Sequence, residues 1–361
     1  MRRITCSRPY LRAGMLVLLL AGACLPDLER IRGEHITYEY SSGLHLCAGT
    51  VEHLDRAIPY LEEQLGVEAP ARIRYSWLWS AELSRVAEKF RPDHAPAFVV
   101  ADHAMATGPA VIHELVHLVM DAPTAPFFRE GVAVAYDIIY PEGYGPRYPS
   151  GAFPDPRATM EASRSALVDY PAAGQFVTFL LTRHGPAQFR EFYESLRWPH
   201  TLPRIRKAFR ATFGRELDDE VEVFMAGVPT CEPEYFALQF SDCTAPIQPW
   251  DGPVWTHDEV LECDADGVVG GGQPGFASHI FRPVTLEVPE SGRYELRTGA
   301  ETDVHVRFGP CFGCAWSFED VRLEAGEAAA LELTAGKYYL RLITTAGEPR
   351  HPDVTLGRLD P

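Results

Sequence analysis

Val111-Ile112-His113-Glu114-Leu115-Val116-His117-Leu118-Val119-Met120 is an apolar stretch interrupted by two histidines and one glutamate. The flanking Val, Ile and Leu residues leave almost no polar face, so the spacing predicts a buried helix. On such a helix His113 and His117 lie one turn apart on the same side. Two imidazoles and a carboxylate are expensive in apolar surroundings unless something compensates them. A divalent cation carrying a water would do so, and converging imidazole nitrogens suit zinc. Glu114, beside the first imidazole, is then placed to take a proton from a metal-activated water and to pass it on. The alternative is a pair of surface or hydrogen-bonded histidines, against which the apolar flanks speak.

A catalytic zinc takes three protein ligands and keeps one position open. An extended motif with Gly at 120 and a third His at 123 is excluded, because those positions hold Met120 and Pro123. Further on, Phe127-Phe128-Arg129-Glu130-Gly131-Val132-Ala133-Val134-Ala135-Tyr136-Asp137 opens a second apolar helix, expected over 127–140. The turn at 121–126, with Pro123 and Pro126, is long enough to fold this helix back over the first. Glu130 would then face the same metal, and Gly131 would let the two backbones approach closely. The alternative for Glu130 is an ordinary first-turn acid favoured by the helix dipole. The expected ligand set for one zinc ion is His113, His117 and Glu130.

Around this motif, residues 24–228 read as mixed α and β. Strands are expected at 36–40, 71–78 and 97–101, and helices at 49–65, 172–183, 187–196, 202–209 and 217–225. Pro59 falls inside the helix at 49–65, and Gly66 can stop it. Gly108-Pro109 is a suitable start for the helix of the motif. From residue 229 to 361 Gly, Pro and Cys rise and alternation replaces helical spacing. Strands are expected at 279–282, 284–288, 294–297, 304–308, 321–323, 329–333 and 338–343, an all-β sandwich pattern. Gly292-Arg293-Tyr294-Glu295-Leu296 and Gly336-Lys337-Tyr338-Tyr339-Leu340 share Gly-x-Tyr-x-Leu, and are expected at equivalent strand starts.

The chain's ends and charges bear on where it works. Arg2, Arg3, Arg8 and Arg12 precede a short apolar run at 13–23, which reads as an export signal over 1–23 and not as a membrane span. Ala21-Gly22-Ala23-Cys24 suits either ordinary cleavage or lipidation of Cys24, so the expectation is an envelope lipoprotein anchored there, otherwise a periplasmic or secreted protein. Of the eight cysteines, Cys47, Cys231, Cys243, Cys263, Cys311 and Cys314 remain after the signal and Cys24 are set aside, an even set that fits disulfides in an oxidising compartment. Cys311-Phe312-Gly313-Cys314 lacks a second pair for a zinc knuckle, so these thiols are expected in disulfides. The formal charge of −17 argues against a nucleic-acid partner.

His-Glu-Leu-Val-His followed by Phe-Phe-Arg-Glu-Gly-Val-Ala-Val-Ala-Tyr resembles the gluzincin pattern of zinc peptidases, and within it the bacterial peptidase MA-like family. The likeness continues in 170–185 and 208–217, and so covers about 35–228. It implies a zincin-like α+β metallopeptidase domain followed by the all-β sandwich, one zinc held by His113, His117 and Glu130, Glu114 as general base, and a peptide or protein substrate. An oxyanion partner is also needed. Tyr136, Tyr170 and His184 are candidates, with Tyr170 preferred because the family-like stretch begins there. Thermolysin-like relatives carry a carboxylate four residues after the glutamate ligand, where this chain has Val134, while Asp137 lies seven residues on. The C-terminal part resembles, weakly, sandwich modules of secreted bacterial peptidases. The alternative to an enzyme is a non-catalytic surface lipoprotein that uses a retired peptidase fold for binding.

Overall fold

The computed structural model describes residues 28–90, 96–121, 124–137, 155–227, 236, 239–240, 242–273, 278–300, 304–311 and 321–359. The first lobe runs β1 (Leu28–Arg32), β2 (Ile36–Ser41), β3 (His45–Leu46), α1 (Thr50–Leu65), β4 (Ile73–Trp77), α2 (Ser80–Phe90), β5 (Ala97–Val100), β6 (His103–Ala106), α3 (Ile112–Val119), α4 (Pro126–Ala135), α5 (Arg157–Met160), α6 (Tyr170–His184), α7 (Pro186–Ser195), α8 (Leu202–Phe213) and α9 (Leu217–Met225). The expected export signal, Cys24 and the boundary near residue 229 lie outside the described residues.

Five strands form a sheet in the order β1-β2-β4-β6-β5. The inner three are parallel, and an antiparallel strand closes each edge. Parallel strands are buried on both faces. One face carries Ile36, Tyr38, Tyr75 and Trp77 into the main core with α1 and the later helices. The other meets α2 through Leu78, Leu83, Val86, Phe98 and Met105. Helix α1 runs through Pro59 and ends at Gly66, whose left-handed φ of 62° needs no Cβ there. Helix α2 and strand β6 escape the sequence reading. His103-Ala104-Met105-Ala106 has no β-branched residue, so nothing in it signals a strand.

The second lobe contains β7 (Ile247–Gln248), β8 (Val254–His257), β9 (Val269–Gly272), β10 (His279–Val288), β11 (Gly292–Thr298), β12 (Val304–Pro310), β13 (Val321–Leu323), β14 (Ala328–Leu333), β15 (Gly336–Thr345) and β16 (Val354–Arg358). One sheet has the order β13-β12-β15-β10-β9-β3, with β7 on β10, and the other β14-β11-β16-β8. Residues of both, among them Trp255, Leu286, Leu296, Phe308, Leu340 and Leu356, make one core. Gly292 and Gly336 do open strands, β11 and β15. The chain as a whole is mixed α and β with several sheets.

The two lobes are joined covalently and through a ladder. Strand β3, from the first part of the chain, pairs with β9 of the second lobe. Thr50 Oγ1 donates to Gly270 O at 2.8 Å and accepts from Gly270 N at 2.9 Å. Cys47 is bonded to Cys263, and Cys243 to Cys311. Staples are therefore not confined to the C-terminal part, although five of the six cysteines expected in disulfides lie after residue 230. Cys311 takes a distant partner, while Cys231 and Cys314 lie outside the described residues. Disulfides accord with a non-cytoplasmic, exported protein. Among the described residues no helix is long and apolar enough to cross a membrane.

Candidate metal centre

Helix α3 starts at Ile112, not at Gly108-Pro109. The loop before it is fastened to the sheet by polar tips of buried aromatic rings. Tyr38 OH donates to Pro109 O at 2.7 Å, and Tyr75 OH to Gly108 O at 2.6 Å. Trp77 Nε1 donates to Thr107 O at 2.9 Å, and Gln273 of the second lobe donates to the same oxygen at 3.2 Å. Val111, the residue that opens the helix, has no capping side chain of its own. Its N–H donates instead to Tyr75 OH at 3.1 Å, which satisfies one of the groups a helix start leaves open. This fixes the first turn, and with it His113 and Glu114.

Helix α4 opens with Pro126 in its first turn and ends at Ala135, shorter than the expected 127–140. Residues 138–140 lie outside the described set. The helix does fold back on α3. His113 Nε2 lies 3.2 Å and His117 Nε2 3.1 Å from the same oxygen, Glu130 Oε2. One ligand atom from each of the three residues lies within 4.8 Å of the others. The rings of His113 and His117 meet edge-on, with centroids 4.7 Å apart. Among the described residues this is the one group of three or more His, Cys, Asp or Glu residues able to hold a metal ion.

Gly131 does not serve the approach of α4 to α3. A Cβ there would lie 2.6 Å from Val177 Cγ2 and 2.7 Å from Ala173 O, so the close approach is to α6. That contact brings the start of α6 to the centre. Asp169 caps it, accepting from Ala172 N at 3.1 Å, and Tyr170 stacks on the His113 ring at 5.9 Å between centroids. The other aromatic candidates lie elsewhere. Tyr136 is buried, stacked on Phe236, with a hydroxyl that has no partner among the described residues. His184 sits at the far end of α6, against Phe213 and 3.7 Å from Glu220.

The electrostatics follow from burial and from one carboxylate. Burial opposes a charge on His113, yet the bond to Glu130 and the nearby Glu114 and Asp137 prevail and hold its pKa above the ordinary value. Burial dominates for His117 and pulls its pKa down to about 4 despite the same bond. Burial alone would raise Glu130, but the two imidazoles hold its carboxyl far below the usual range. Glu130 is thus an anion facing two imidazoles, a donor set suited to a cation. Its other oxygen, Oε1, accepts from Ser165 Oγ at 2.6 Å and from Arg129 Nη2 at 3.0 Å. Neither donor was expected from the sequence. Arg129 adjoins Glu130 in an element read for its apolar face, and Ser165 belongs to no recognisable motif. His117 Nδ1 is buried without a partner among the described residues.

No family model and no curated protein matches this chain. Among solved structures it is similar over 31% of its length to a periplasmic inhibitor of g-type lysozyme, PliG from Aeromonas hydrophila, covering 92% of that chain at 11% identity and a TM-score of 0.21. It is similar over 29% of its length to the C-terminal carbohydrate-binding module, CBM6, of a laminarinase from Zobellia galactanivorans, covering 91% of that chain at 16% identity and a TM-score of 0.17. Likenesses this slight carry no argument about function.

Proposed function

We propose that this chain is an exported zinc-dependent metallopeptidase of the gluzincin kind, with a peptidase MA-like catalytic lobe and a β-sandwich lobe behind it. The observation that carries the reading is the meeting of His113 Nε2 and His117 Nε2 at Glu130 Oε2, at 3.2 and 3.1 Å. Zinc bonds to nitrogen and oxygen are about 2.0–2.1 Å, which puts neighbouring ligand atoms of a tetrahedron ~3.3 Å apart. The donor set and these two separations therefore fit zinc held by the three residues. When bound, zinc lowers the pKa of a water and polarises a carbonyl oxygen. Glu114, buried beside His113, takes the water's proton and delivers it to the leaving amine of a peptide or protein substrate. Tyr170, stacked on His113, donates its phenol hydrogen to the oxyanion.

A second reading is a non-catalytic envelope lipoprotein, anchored at Cys24, that keeps a retired peptidase fold for binding. His117 Nδ1 favours it. Metal-ligating histidines normally donate their second N–H to a partner, and this one has none among the described residues. Metal analysis of the purified protein, with a Glu114→Gln variant assayed on a peptide library, separates the two. The enzyme requires about one zinc per chain in both proteins, with cleavage by the wild type only. Zinc without cleavage of any peptide by the wild type supports the binding protein.

A further inference from the structure

Glu130 offers its two oxygens to different neighbours. Oε2 faces the imidazoles, as described. Oε1 is turned away and accepts from Ser165 Oγ at 2.6 Å and from Arg129 Nη2 and Nε at 3.0 and 3.3 Å. Arg129 Nη2 also donates to Ser165 Oγ at 2.7 Å, which closes a triangle around that oxygen. Glu130 is only 2% exposed, so its carboxylate cannot turn towards water. A rotation would break the charge-assisted bonds to its buried oxygen.

We propose that Ser165 and Arg129 are positioning residues that hold Glu130 to a single ligating oxygen. The inference rests on the metal-centre reading above and adds what keeps that centre open. A carboxylate free to swing can ligate through both oxygens, and the second would occupy the position that a catalytic site must keep for water. Hydrogen bonds from a surrounding shell are what orient ligating carboxylates. The two donors come from different directions. Arg129 precedes the ligand on α4. Ser165 opens a 3-10 turn, Ser165–Leu167, that leads through Asp169 to Tyr170. One short segment therefore clamps the far oxygen of Glu130 and delivers Tyr170 to His113. Arg129 both orients the carboxylate and opposes a cation by its charge, whereas Ser165 is neutral and acts by orientation alone.

The test uses the full chain in three variants, Ser165→Ala, Ser165→Thr and Arg129→Gln. Zinc affinity is measured by chelator competition, coordination by the visible spectrum of the cobalt-loaded protein, and folding by thermal melting of the metal-free form. Ser165→Ala weakens zinc binding about 10- to 100-fold and shifts the cobalt spectrum towards higher coordination number. Ser165→Thr, which keeps the hydroxyl, restores both. Arg129→Gln shifts the spectrum the same way with a smaller loss of affinity, and it carries the test alone if metal-free Ser165→Ala does not melt as a folded protein. A wild type that binds zinc, with variants of equal affinity and unchanged cobalt spectrum, overturns the positioning role and leaves the metal centre standing. A wild type that takes up no zinc removes both.

Discussion

Val134 packs so closely on Gly174 that a methyl group added at the glycine would lie 2.3 Å from Val134 Cγ1. The position four residues after Glu130 is therefore turned towards α6, into a contact that only a glycine admits. A carboxylate there would be buried against an apolar helix with nothing to pair it. This is a physical reason for a small apolar residue at position 134. The carboxylate nearest in sequence, Asp137, is buried one residue beyond the helix cap and acts electrostatically on His113.

The α4–α6 contact should accordingly be intolerant of single methyl groups. Gly174→Ala must displace a side chain that is stiff at χ1, and Gly131→Ala meets the backbone oxygen of Ala173 at 2.7 Å. Each should cost about 1–3 kcal/mol in chemical denaturation, the usual range for overpacking a filled core. Gly131→Ala should cost the more, because a helix backbone yields less than a side chain. Equal stability of both variants and the wild type would sink this account of how α6 is docked.

Tyr75 should matter to the helix that carries His113 and His117 although it lies on a strand. Tyr75→Phe removes the donor to Gly108 O and the acceptor for Val111 N. Leaving such groups unpaired costs roughly 1–3 kcal/mol, and the loss falls on the turn that places His113. The expected outcome is lower stability together with weaker zinc binding. Tyr38→Phe, which frees only Pro109 O, serves as the milder comparison. A Tyr75→Phe protein as stable as the wild type, with the same zinc affinity, would show that the loop is held by other means.

How far the sequence could be read depends on whether each residue's role is local. The His-His-Glu group was legible because helical spacing alone puts His113 and His117 on one side, and the apolar second helix singled out Glu130. Tyr170 came from a likeness of sequence and does lie against His113. Arg129, Ser165 and Tyr75 were not legible. Their roles depend on a partner oxygen brought in by the tertiary fold, and one-dimensional periodicity carries no such information. The same holds for β3, two residues long, whose place in the second lobe's sheet follows from pairing with β9. Gly131 was legible as a point of close approach, but the approach expected to α3 is in fact to α6.

Acid should destabilise the junction between the lobes through His53. This residue is buried among Phe240, Phe281, Arg56 and Arg341, the last of which is paired with Asp242. Burial first, and then the two guanidinium charges, pull its pKa down to about 3. An unfolded histidine titrates near 6.5. Between those values the unfolded chain binds a proton that the folded chain refuses, so stability falls as pH drops from about 6.5 towards 3, by up to roughly 1.4 kcal/mol per pH unit. His103 and His257, each held down to about 4, act in the same direction. His53→Phe keeps the ring contacts and removes the proton. Its unfolding free energy, followed by urea titration from pH 6.5 to 4.5, should fall less steeply than that of the wild type. Parallel curves would mean that His53 accepts its proton without penalty.

Tyr170 offers the sharpest test of the chemistry. Its ring lies nearly parallel to that of His113, 20° from coplanar, so the stacking and the phenol can be separated by substitution. Tyr170→Phe keeps the ring on the imidazole and removes only the hydroxyl. If that hydroxyl stabilises an oxyanion, kcat should fall about 100-fold, the scale for loss of one such donor, with KM and zinc affinity little changed. Tyr170→Ala should lose the rate and, in addition, bind zinc more weakly, since the His113 ring is no longer braced. Loss of zinc affinity in Tyr170→Phe, or full activity in it, would reassign Tyr170 to bracing the metal ligand alone. The oxyanion donor would then have to come from another group at the centre.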